Sequence, residues 1–407
     1  MSRTPGNTRL KSARVAAGYA NQQDLADALS VGVRQVRRWE SANPPLPHPE
    51  VAQALSRLLG QTLADLGFPA GATRDLPARE ARRPALGAVP LTAVPRGSTQ
   101  ALQPSTVGQD YEAVTRSHRR LYWTVAPATL HPAAVAHATL GCTLLEETAG
   151  RTRQSVATAL AETWLLAGRI EFFDLREPDR AQSTWLRALQ AAGEADDAIM
   201  GAAILAHTAF IPGWAGERDT ATERMVAART YARREAASAE FLAWLDAVEA
   251  ECETRCGNAR TALHLIGHAE DTLAAGSENV SPGWLDWFGP TRLAAFKGNT
   301  QLQAGHLPQA RTTLQHVLND LPEDAAKQRT VVLGDLAAVE AAAGNPEEAC
   351  SYATQALDQL EVTWYATGMD RVRDVRRALA PHQSESCVRN LDDRLYGWST
   401  TVSALAR

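Results

Sequence analysis

The sequence predicts an all-α protein with an N-terminal helix-turn-helix domain, a linker and a C-terminal α-solenoid. Three observations support this fold class. Residues 21–40 contain two amphipathic helical patterns joined by a short turn. From residue 110 onward, apolar residues recur every three or four positions, which is the period of a helix and not of a strand. A pattern of glycine followed five residues later by alanine also returns four times in the second half of the chain.

The segment 21–40, NQQDLADALSVGVRQVRRWE, predicts the two helices in detail. Asn21 can cap the first helix, because its side-chain oxygen can accept a hydrogen bond from an unpaired backbone amide. Leu25 and Leu29 follow at helical spacing, and a turn through Gly32 separates this helix from the next. We therefore expect a complete helix-turn-helix within twenty residues.

The second helix of this segment predicts a basic outward face. Taking Val36 as zero and stepping 100° per residue puts Trp39 at about 300°, on the same buried side. Arg34 then lies at about 160° and Arg38 at about 200°, so both point away from the core. Arginines in this position can hold phosphates or contact the O6 and N7 atoms of guanine in the major groove. The pattern therefore predicts a DNA-binding helix.

Residues 7 to 67 resemble the XRE-type, phage-repressor-like helix-turn-helix family. The residues that carry the resemblance are Leu10, Ala13, Arg14, Gly18, Gln22, Leu25, Ala26, Leu29, Val31, Val36, Arg38, Trp39 and Glu40. The resemblance implies a structural ion pair between Arg14 and Glu40, and a contact of Gln22 with the DNA backbone. Gly32 departs from the family, which usually has Ser or Thr there as a helix cap. The residues expected at DNA are Gln22, Val33, Arg34, Gln35, Arg37 and Arg38.

The remaining elements of the first domain and the linker follow from proline and glycine placement. Pro44, Pro45 and Pro47 end the second helix, a fourth helix is predicted over 48–59, and Leu63–Phe68 is expected to complete a five-helix domain over residues 1–68. Residues 69–106 have little periodicity and are interrupted by Pro69, Pro77, Pro84, Pro90, Pro95 and Pro104. We interpret residues 69–106 as a flexible linker.

Residues 107–407 contain a helical repeat. Each copy has a glycine followed five residues later by an alanine: Gly216 and Ala221, Gly257 and Ala262, Gly305 and Ala310, and Gly344 and Ala349. An earlier copy has Arg176 in place of the glycine, followed by Ala181. Glycine can end a helix in the left-handed conformation, and a small alanine lets the next helix pack closely. The pattern resembles tetratricopeptide repeats, although the spacing is longer and an insertion lies around 281–288. This predicts a stacked array with helices 110–123, 370–379 and 390–405 at its ends.

Charge and composition divide the chain in the same way. The net charge is −5, but residues 1–106 have 13 Lys and Arg against 7 Asp and Glu, whereas the remainder has 28 against 39. A basic head on an acidic body is typical of a DNA-binding module joined to a body that does not bind DNA. The small excess on the head predicts a homodimer on a palindromic operator. Five scattered cysteines, the lack of a membrane-length apolar run and the polar N-terminus predict a cytoplasmic protein with no membrane association.

No catalytic or cofactor-binding motif is found. The chain lacks a phosphate-binding GxxxxGK loop, a GxSxG elbow and an HExxH motif, so we expect no enzyme activity and no cofactor. Cys252 and Cys256, followed by His264 and His268, are residue types that bind zinc. Helical stepping from Ala262 predicts that the two pairs diverge, so no metal site is expected.

The ten tryptophans provide the candidate ligand site. Most are expected to be wedges between helices, but tryptophan is also enriched where a surface recognises a ligand. The densest aromatic group lies beside cationic and amide side chains at the start of a repeat. The predicted effector-binding residues are Trp284, Trp287, Arg292, Lys297 and Asn299.

A helix-turn-helix head, a proline-rich linker and a tetratricopeptide-like body together resemble peptide-responsive regulators of the quorum-sensing type. The resemblance implies a sequence-specific transcription regulator whose body senses an effector, either a short peptide or a small signalling molecule. The alternative is a DNA-binding regulator whose body recruits a protein partner and binds no small effector.

Overall fold

The computed structural model describes residues 6–29, 31–41, 44–45, 47, 49–59, 61, 63, 65–68, 103–322 and 324–405. Within these ranges the chain has eighteen α-helices and no β-strand, which confirms the predicted all-α class. The chain forms two compact units, whose described parts are 6–68 and 103–405. Of the predicted linker, only residues 103–106 lie inside the described ranges.

The N-terminal unit contains four helices: α1 (Thr8–Ala16), α2 (Gln22–Ala28), α3 (Val33–Trp39) and α4 (Pro49–Leu59). Asn21 caps α2 as predicted, since its side chain accepts from the amide of Asp24 while the Asp24 carboxylate accepts from the amide of Asn21. Gly32 precedes α3 without a side-chain cap. Among the described residues of the turn between α2 and α3, the amide of Val31 donates to the carbonyl oxygen of Ala26 at 2.9 Å.

The core of this unit is formed by apolar residues from all four helices and the segment that follows them: Leu10, Ala13, Leu25, Ala26, Val36, Trp39, Leu55, Leu59, Leu66 and Phe68. The predicted fifth helix over Leu63–Phe68 is absent, because the described residues there form turns and Gly67 has a φ of +80°. Buried Asn7 fixes this segment by donating to the carbonyl oxygens of Trp39 (3.1 Å) and Leu66 (2.9 Å).

The ion pair implied by the family resemblance is present in this unit. Arg14 Nε lies 2.7 Å from Glu40 Oε1, and the side chains are only 4% and 7% exposed. Arg14 also donates to the carbonyl oxygens of Tyr19 and Ala20, at 2.7 and 3.0 Å. Because one arginine satisfies both the end of α3 and the turn after α1, this pair ties the start of the domain to the end of α3.

The C-terminal unit is an array of helix pairs. The first helix of each repeat contacts the first helix of the next repeat, from α7 through α9, α11, α13 and α15 to α17, and we call these six helices the inner layer. The fourteen helices described here are α5 (Val107–Leu121), α6 (Pro127–Glu146), α7 (Gly150–Arg169), α8 (Pro178–Ala195), α9 (Ala198–Ala215), α10 (Arg218–Ala232), α11 (Ala239–Arg255), α12 (Ala259–Ala275), α13 (Pro290–Gln303), α14 (Leu307–Asp320), α15 (Ala326–Ala342), α16 (Pro346–Val362), α17 (Ala366–Ala378) and α18 (Ser386–Leu405).

The glycine–alanine repeat has the predicted structural role. The four repeat glycines have φ values between +77° and +81°, and Arg176 takes the same left-handed conformation with φ +60°. The alanines five residues later are all buried at 0 to 2% exposure, where they face the preceding helix of the pair. The insertion between α12 and α13 contains a 3₁₀ turn at Gly283–Leu285. The body is thus a helical-repeat array, as the spacing predicts.

The two ends of the inner layer touch, which the sequence did not indicate. After α7 the chain forms a π-helical turn, Ile170–Asp174, that contacts α17. Lys327 Nζ lies 2.7 Å from Asp174 Oδ1, and both side chains are almost fully buried. Thr367 donates to the carbonyl oxygen of Phe173 at 3.0 Å, and Trp364 to that of Asp174 at 3.3 Å. These contacts close the inner layer into a ring.

One described helix, Ala198–Ala215, is long and apolar enough to cross a membrane by length and composition, but 67% of it is buried inside the body. It is α9, which lies in the inner layer between α7 and α11. Burial against neighbouring helices accounts for its apolar composition without a membrane.

Candidate functional site

The exposed face of α3 is the first candidate site. Val36 and Trp39 are buried in the domain core, whereas Arg34 and Arg38 are exposed, as the helical stepping predicts. Gln35 and Arg37 are exposed beside them. None of the three arginines of this helix forms an ion pair with a described residue. Their guanidinium groups are therefore available for phosphates or base edges.

Two further residues expected at DNA lie at the edge of this face. Val33, at the first position of α3, is half-buried. Gln22, at the first position of α2, donates to Glu40 Oε2 at 2.5 Å, which leaves its side-chain oxygen and second amide hydrogen unassigned. Glu40 thereby connects Gln22 to the buried Arg14. Contact of these residues with DNA remains a prediction.

The second candidate site is a cavity inside the ring of the body, with an empty volume of about 850 Å³ including its mouth. Its wall comes from the inner layer and from the segments that follow α5 and α7 and that precede α13 and α17. The aromatic side chains of the wall are Tyr122, Trp123, Phe173, Phe210, Trp214, Trp244, Trp287, Phe296 and Tyr365. A concave site with a largely aromatic wall and convergent charged groups is a candidate for binding a small ligand.

Arg169 lies against three of these rings. Its guanidinium carbon is 5.0 Å from the centre of Tyr122, 4.9 Å from Trp287 and 5.8 Å from Trp123. It forms no ion pair with any described carboxylate. Aromatic faces attract a guanidinium, but they do not use its hydrogen-bond donors. Arg169 therefore keeps unused donors next to an aromatic wall.

Arg292 is the second wall arginine without an ion pair among the described residues. Burial lowers its pKa, and the nearby positive charge of Arg169 lowers that pKa further, against opposite effects of Tyr365 and Glu251. Its guanidinium carbon lies 5.1 Å from the ring centre of Phe296. Burial is the main cause of the lowered pKa, so this guanidinium is largely removed from water.

The other wall charges are compensated in pairs. Arg255 donates to Glu251 at 2.7 Å and also lies 3.8 Å from the ring centre of Trp214. Arg371 Nε is 3.0 Å from Asp335 Oδ1, at an angle that does not make a hydrogen bond. Burial raises the pKa of Asp335 to about 6, although Arg371 acts to lower it. Burial would also raise the pKa of Glu251, but Arg255 and Arg371 outweigh it and hold that pKa below its usual value.

Buried polar atoms without a hydrogen-bond partner in the protein concentrate on this wall. They are Arg169 Nε, Trp214 Nε1, Arg292 Nε, Asn299 Oδ1, Asp335 Oδ1 and Arg371 Nε. A buried unsatisfied polar group costs roughly 1–3 kcal/mol, so folded proteins rarely collect several of them in one place without a role. Burial lowers the pKa of His207 to about 3, so this wall residue is neutral at ordinary pH.

The structure separates the predicted effector-binding residues into two groups. Trp287, Arg292 and Asn299 line the cavity. Trp284 instead packs edge-on against Phe241, with ring centres 5.9 Å apart, next to the hydrophobic core. Lys297 forms an ion pair with Glu270 of α12 at 2.8 Å. Lys297 lies about 140° around α13 from Arg292, whereas Asn299 lies only about 20° from it, so one face cannot hold all three.

Several wall residues were missed because they come from repeats far apart in the chain, above all Arg169, Lys327 and Arg371. A signal for some of them was present in the repeat itself. Phe210, Glu251 and Asn299 each stand six residues before a repeat glycine and all line the cavity. Trp244 and Arg292 stand thirteen residues before one. Aligning the repeats on their glycines predicts one inward helix face.

Comparison with known proteins identifies the N-terminal unit. Residues 10–66 match the family model described as Helix-turn-helix. This match supports a DNA-binding transcription regulator of XRE type. The matched range coincides with the four helices and the buried Arg14–Glu40 pair.

Among solved structures, the crystal structure of BtubC (BKLC) from P. vanneervenii is similar at 16% identity and a TM-score of 0.40. The match covers 58% of this chain and 91% of that one. The comparison with curated proteins finds no match.

Proposed function

We propose that this chain is a cytoplasmic, homodimeric transcription regulator that binds a palindromic operator and senses an effector in the cavity of its tetratricopeptide-like body. The effector is a short peptide or a small signalling molecule, as in regulators of the quorum-sensing type. The single observation that carries the sensing role is the cavity itself: an aromatic wall with two arginines that form no ion pair and several unsatisfied buried polar atoms.

The DNA-binding role is supported by the exposed arginines of α3 and by the family match. We propose a dimer because of the affinity for DNA that a specific regulator needs. A single small module has few base-reading side chains, so two copies on two half-sites are the usual solution for tight specific binding. Light scattering of the full chain at micromolar concentration measures this directly, and a monomer would contradict the homodimer.

The operator can be obtained by selecting bound duplexes from a random-sequence pool and then used in a gel-shift assay. We expect Arg34→Ala or Arg38→Ala to cost about 1–3 kcal/mol of binding free energy if the residue contacts a guanine, with relaxed specificity at that base pair. Arg187→Ala, which removes an exposed arginine of α8, is the control and should bind normally. Unchanged binding of the double Arg34/Arg38 variant would contradict the recognition-helix assignment.

The sensing role is tested by adding fractionated small molecules and peptides from cell extract to the full chain. An effector that binds only the folded body raises its melting temperature, and it should also change the gel shift of the operator. If the only active fractions contain proteins, the alternative role of recruiting a protein partner is supported instead.

A further inference from the structure

We propose that the body cavity takes a small organic anion with a flat aromatic part, and that Arg169 and Arg292 hold its anionic group. This rests on the proposed sensing function and specifies the chemistry of the effector. Five cations and two carboxylates line the cavity: Arg169, Arg255, Arg292, Lys327 and Arg371 against Glu251 and Asp335.

The pairing of these charges shows where an anion fits. Arg255 and Arg371 are compensated by Glu251 and Asp335, and Lys327 is compensated by the buried Asp174. Arg169 and Arg292 form no ion pair with a described carboxylate, although Glu251 acts to raise the pKa of Arg292 and Arg169 acts to lower that of Asp174. Both line the wall of the same cavity, and each has a buried Nε without a hydrogen-bond partner among the described residues. Two cations on one wall with unused donors make a site for a carboxylate, sulfonate or phosphate.

The aromatic wall defines the rest of the ligand. Arg169 lies beside the rings of Tyr122, Trp123 and Trp287, so a group bound to this arginine also meets those rings. Aromatic walls favour flat apolar groups in stacked or edge-on arrangements. Trp214 adds a buried indole donor with no partner in the protein, which suits an acceptor atom of the ligand.

The closed ring limits the size of the ligand. The contacts of Lys327 with Asp174 and of Thr367 with Phe173 join the π-helical turn to α15 and α17 across the cavity. The space of about 850 Å³ includes the open mouth, so the part enclosed by the ring is smaller and suits a small molecule. A small aromatic acid fills such a space, whereas a long extended peptide requires a groove open at both ends.

The test uses two fluorescent probes with the full chain at pH 7. 8-Anilinonaphthalene-1-sulfonate carries an aromatic frame and an anionic group, and N-phenyl-1-naphthylamine has the same frame without the sulfonate. We expect the sulfonate to bind at one saturable site per chain and at least about tenfold more tightly than the neutral probe. Equal affinity of the two probes would overturn the anion assignment.

Variants locate the site. Arg292→Gln and Arg169→Gln should each weaken binding of the sulfonate probe about tenfold or more and leave the neutral probe unchanged. Arg187→Gln is the matched control, because Arg187 also lies over a tryptophan ring, 5.2 Å from the centre of Trp164, but outside the cavity. Unaltered sulfonate binding in both cavity variants would refute the proposal. Circular dichroism and melting temperature identify any variant that fails to fold, in which case the other arginine variant and Arg292→Lys decide.

Competition with nonfluorescent ligands tests whether the site prefers a small aromatic anion or the carboxylate of a peptide. Naphthalene-1-sulfonate should displace the probe, and an acetylated tripeptide ending in phenylalanine with a free carboxylate should not. Displacement by the peptide alone would overturn the assignment to a small anion. Operator binding is measured separately without any probe. If the probe experiments fail while the chain still binds its operator, only the assignment of the ligand is contradicted. If the chain binds no operator while the probes behave as expected, only the regulator function is contradicted.

Discussion

The ion pair that closes the ring, Lys327–Asp174, provides a quantitative test of the body structure. Its side chains are 2% and 0% exposed, and the N–O distance is 2.7 Å. Replacing Lys327 by methionine leaves a buried carboxylate without its cation, a change that costs about 3–5 kcal/mol in other buried pairs. Tyr122 and Arg169 also act to lower the pKa of Asp174, but its Oδ2 has no hydrogen-bond partner among the described residues.

The cost should depend on pH in a defined direction. Burial raises the pKa of Asp174 and lowers the pKa of Lys327. Once Lys327 is gone, the neutral carboxyl is favoured even more, so the destabilisation should shrink as the pH falls and Asp174 takes up a proton. The double variant Lys327→Met with Asp174→Asn removes both charges and should be less destabilised than Lys327→Met alone.

Urea unfolding of the full chain, followed by tryptophan fluorescence and circular dichroism together, gives the free energies if the two signals coincide. Lys297→Met is the matched control, since Lys297 and Glu270 form a pair at 2.8 Å whose side chains are 33% and 44% exposed. That change should cost less than about 1 kcal/mol. A cost of Lys327→Met as small as the control, or additive costs in the Lys327/Asp174 cycle, would refute the structural role of the pair.

Three further predictions concern the head, a repeat turn and the cavity. Glu40→Gln should cost about 3–5 kcal/mol of head stability and couple strongly to Arg14 in a double-mutant cycle, and additive costs would argue against the pair. Gly257→Ala should cost about 1–2 kcal/mol because of its φ of +81°, whereas Gly267→Ala, inside α12 with open space at the added methyl, should be neutral or stabilising in the same unfolding assay. Lowering the pH from 7 to 5 should tighten binding of the sulfonate probe several-fold, because Asp335, with a pKa of about 6, loses its negative charge. The Asp335→Asn variant should bind the probe with the same affinity at pH 7 and at pH 5.

The sequence predicted the local elements of this protein well, for physical reasons that act over a few residues. Asn21 capping, the burial of Val36 and Trp39, and the left-handed repeat glycines all follow from backbone geometry and helical period. Arg176 is instructive, because a non-glycine residue takes the same left-handed turn with φ +60° where the repeat spacing demands it.

The cavity was predictable only in part. Trp287, Arg292 and Asn299 were found because they lie close together in the chain. Arg169 and Lys327 were missed, since their position depends on how far the repeats curve before the ends meet. That curvature is the sum of many small rotations between packed helices, and no single local pattern encodes it.

The stability of the closed ring and the charges of Arg169 and Arg292 are linked. The positive charge of Arg169 acts against that of Arg292 on the cavity wall. We expect an anion held by both arginines to offset this repulsion and to add to the contacts that close the ring, among them the Lys327–Asp174 pair. A ligand shifts a conformational population only when it interacts differently with the two states, so the proposed anion would act by favouring the closed ring. Because each helix pair of a repeat array contacts mainly its neighbours, we expect the effect of such a ligand to spread through the adjoining repeats.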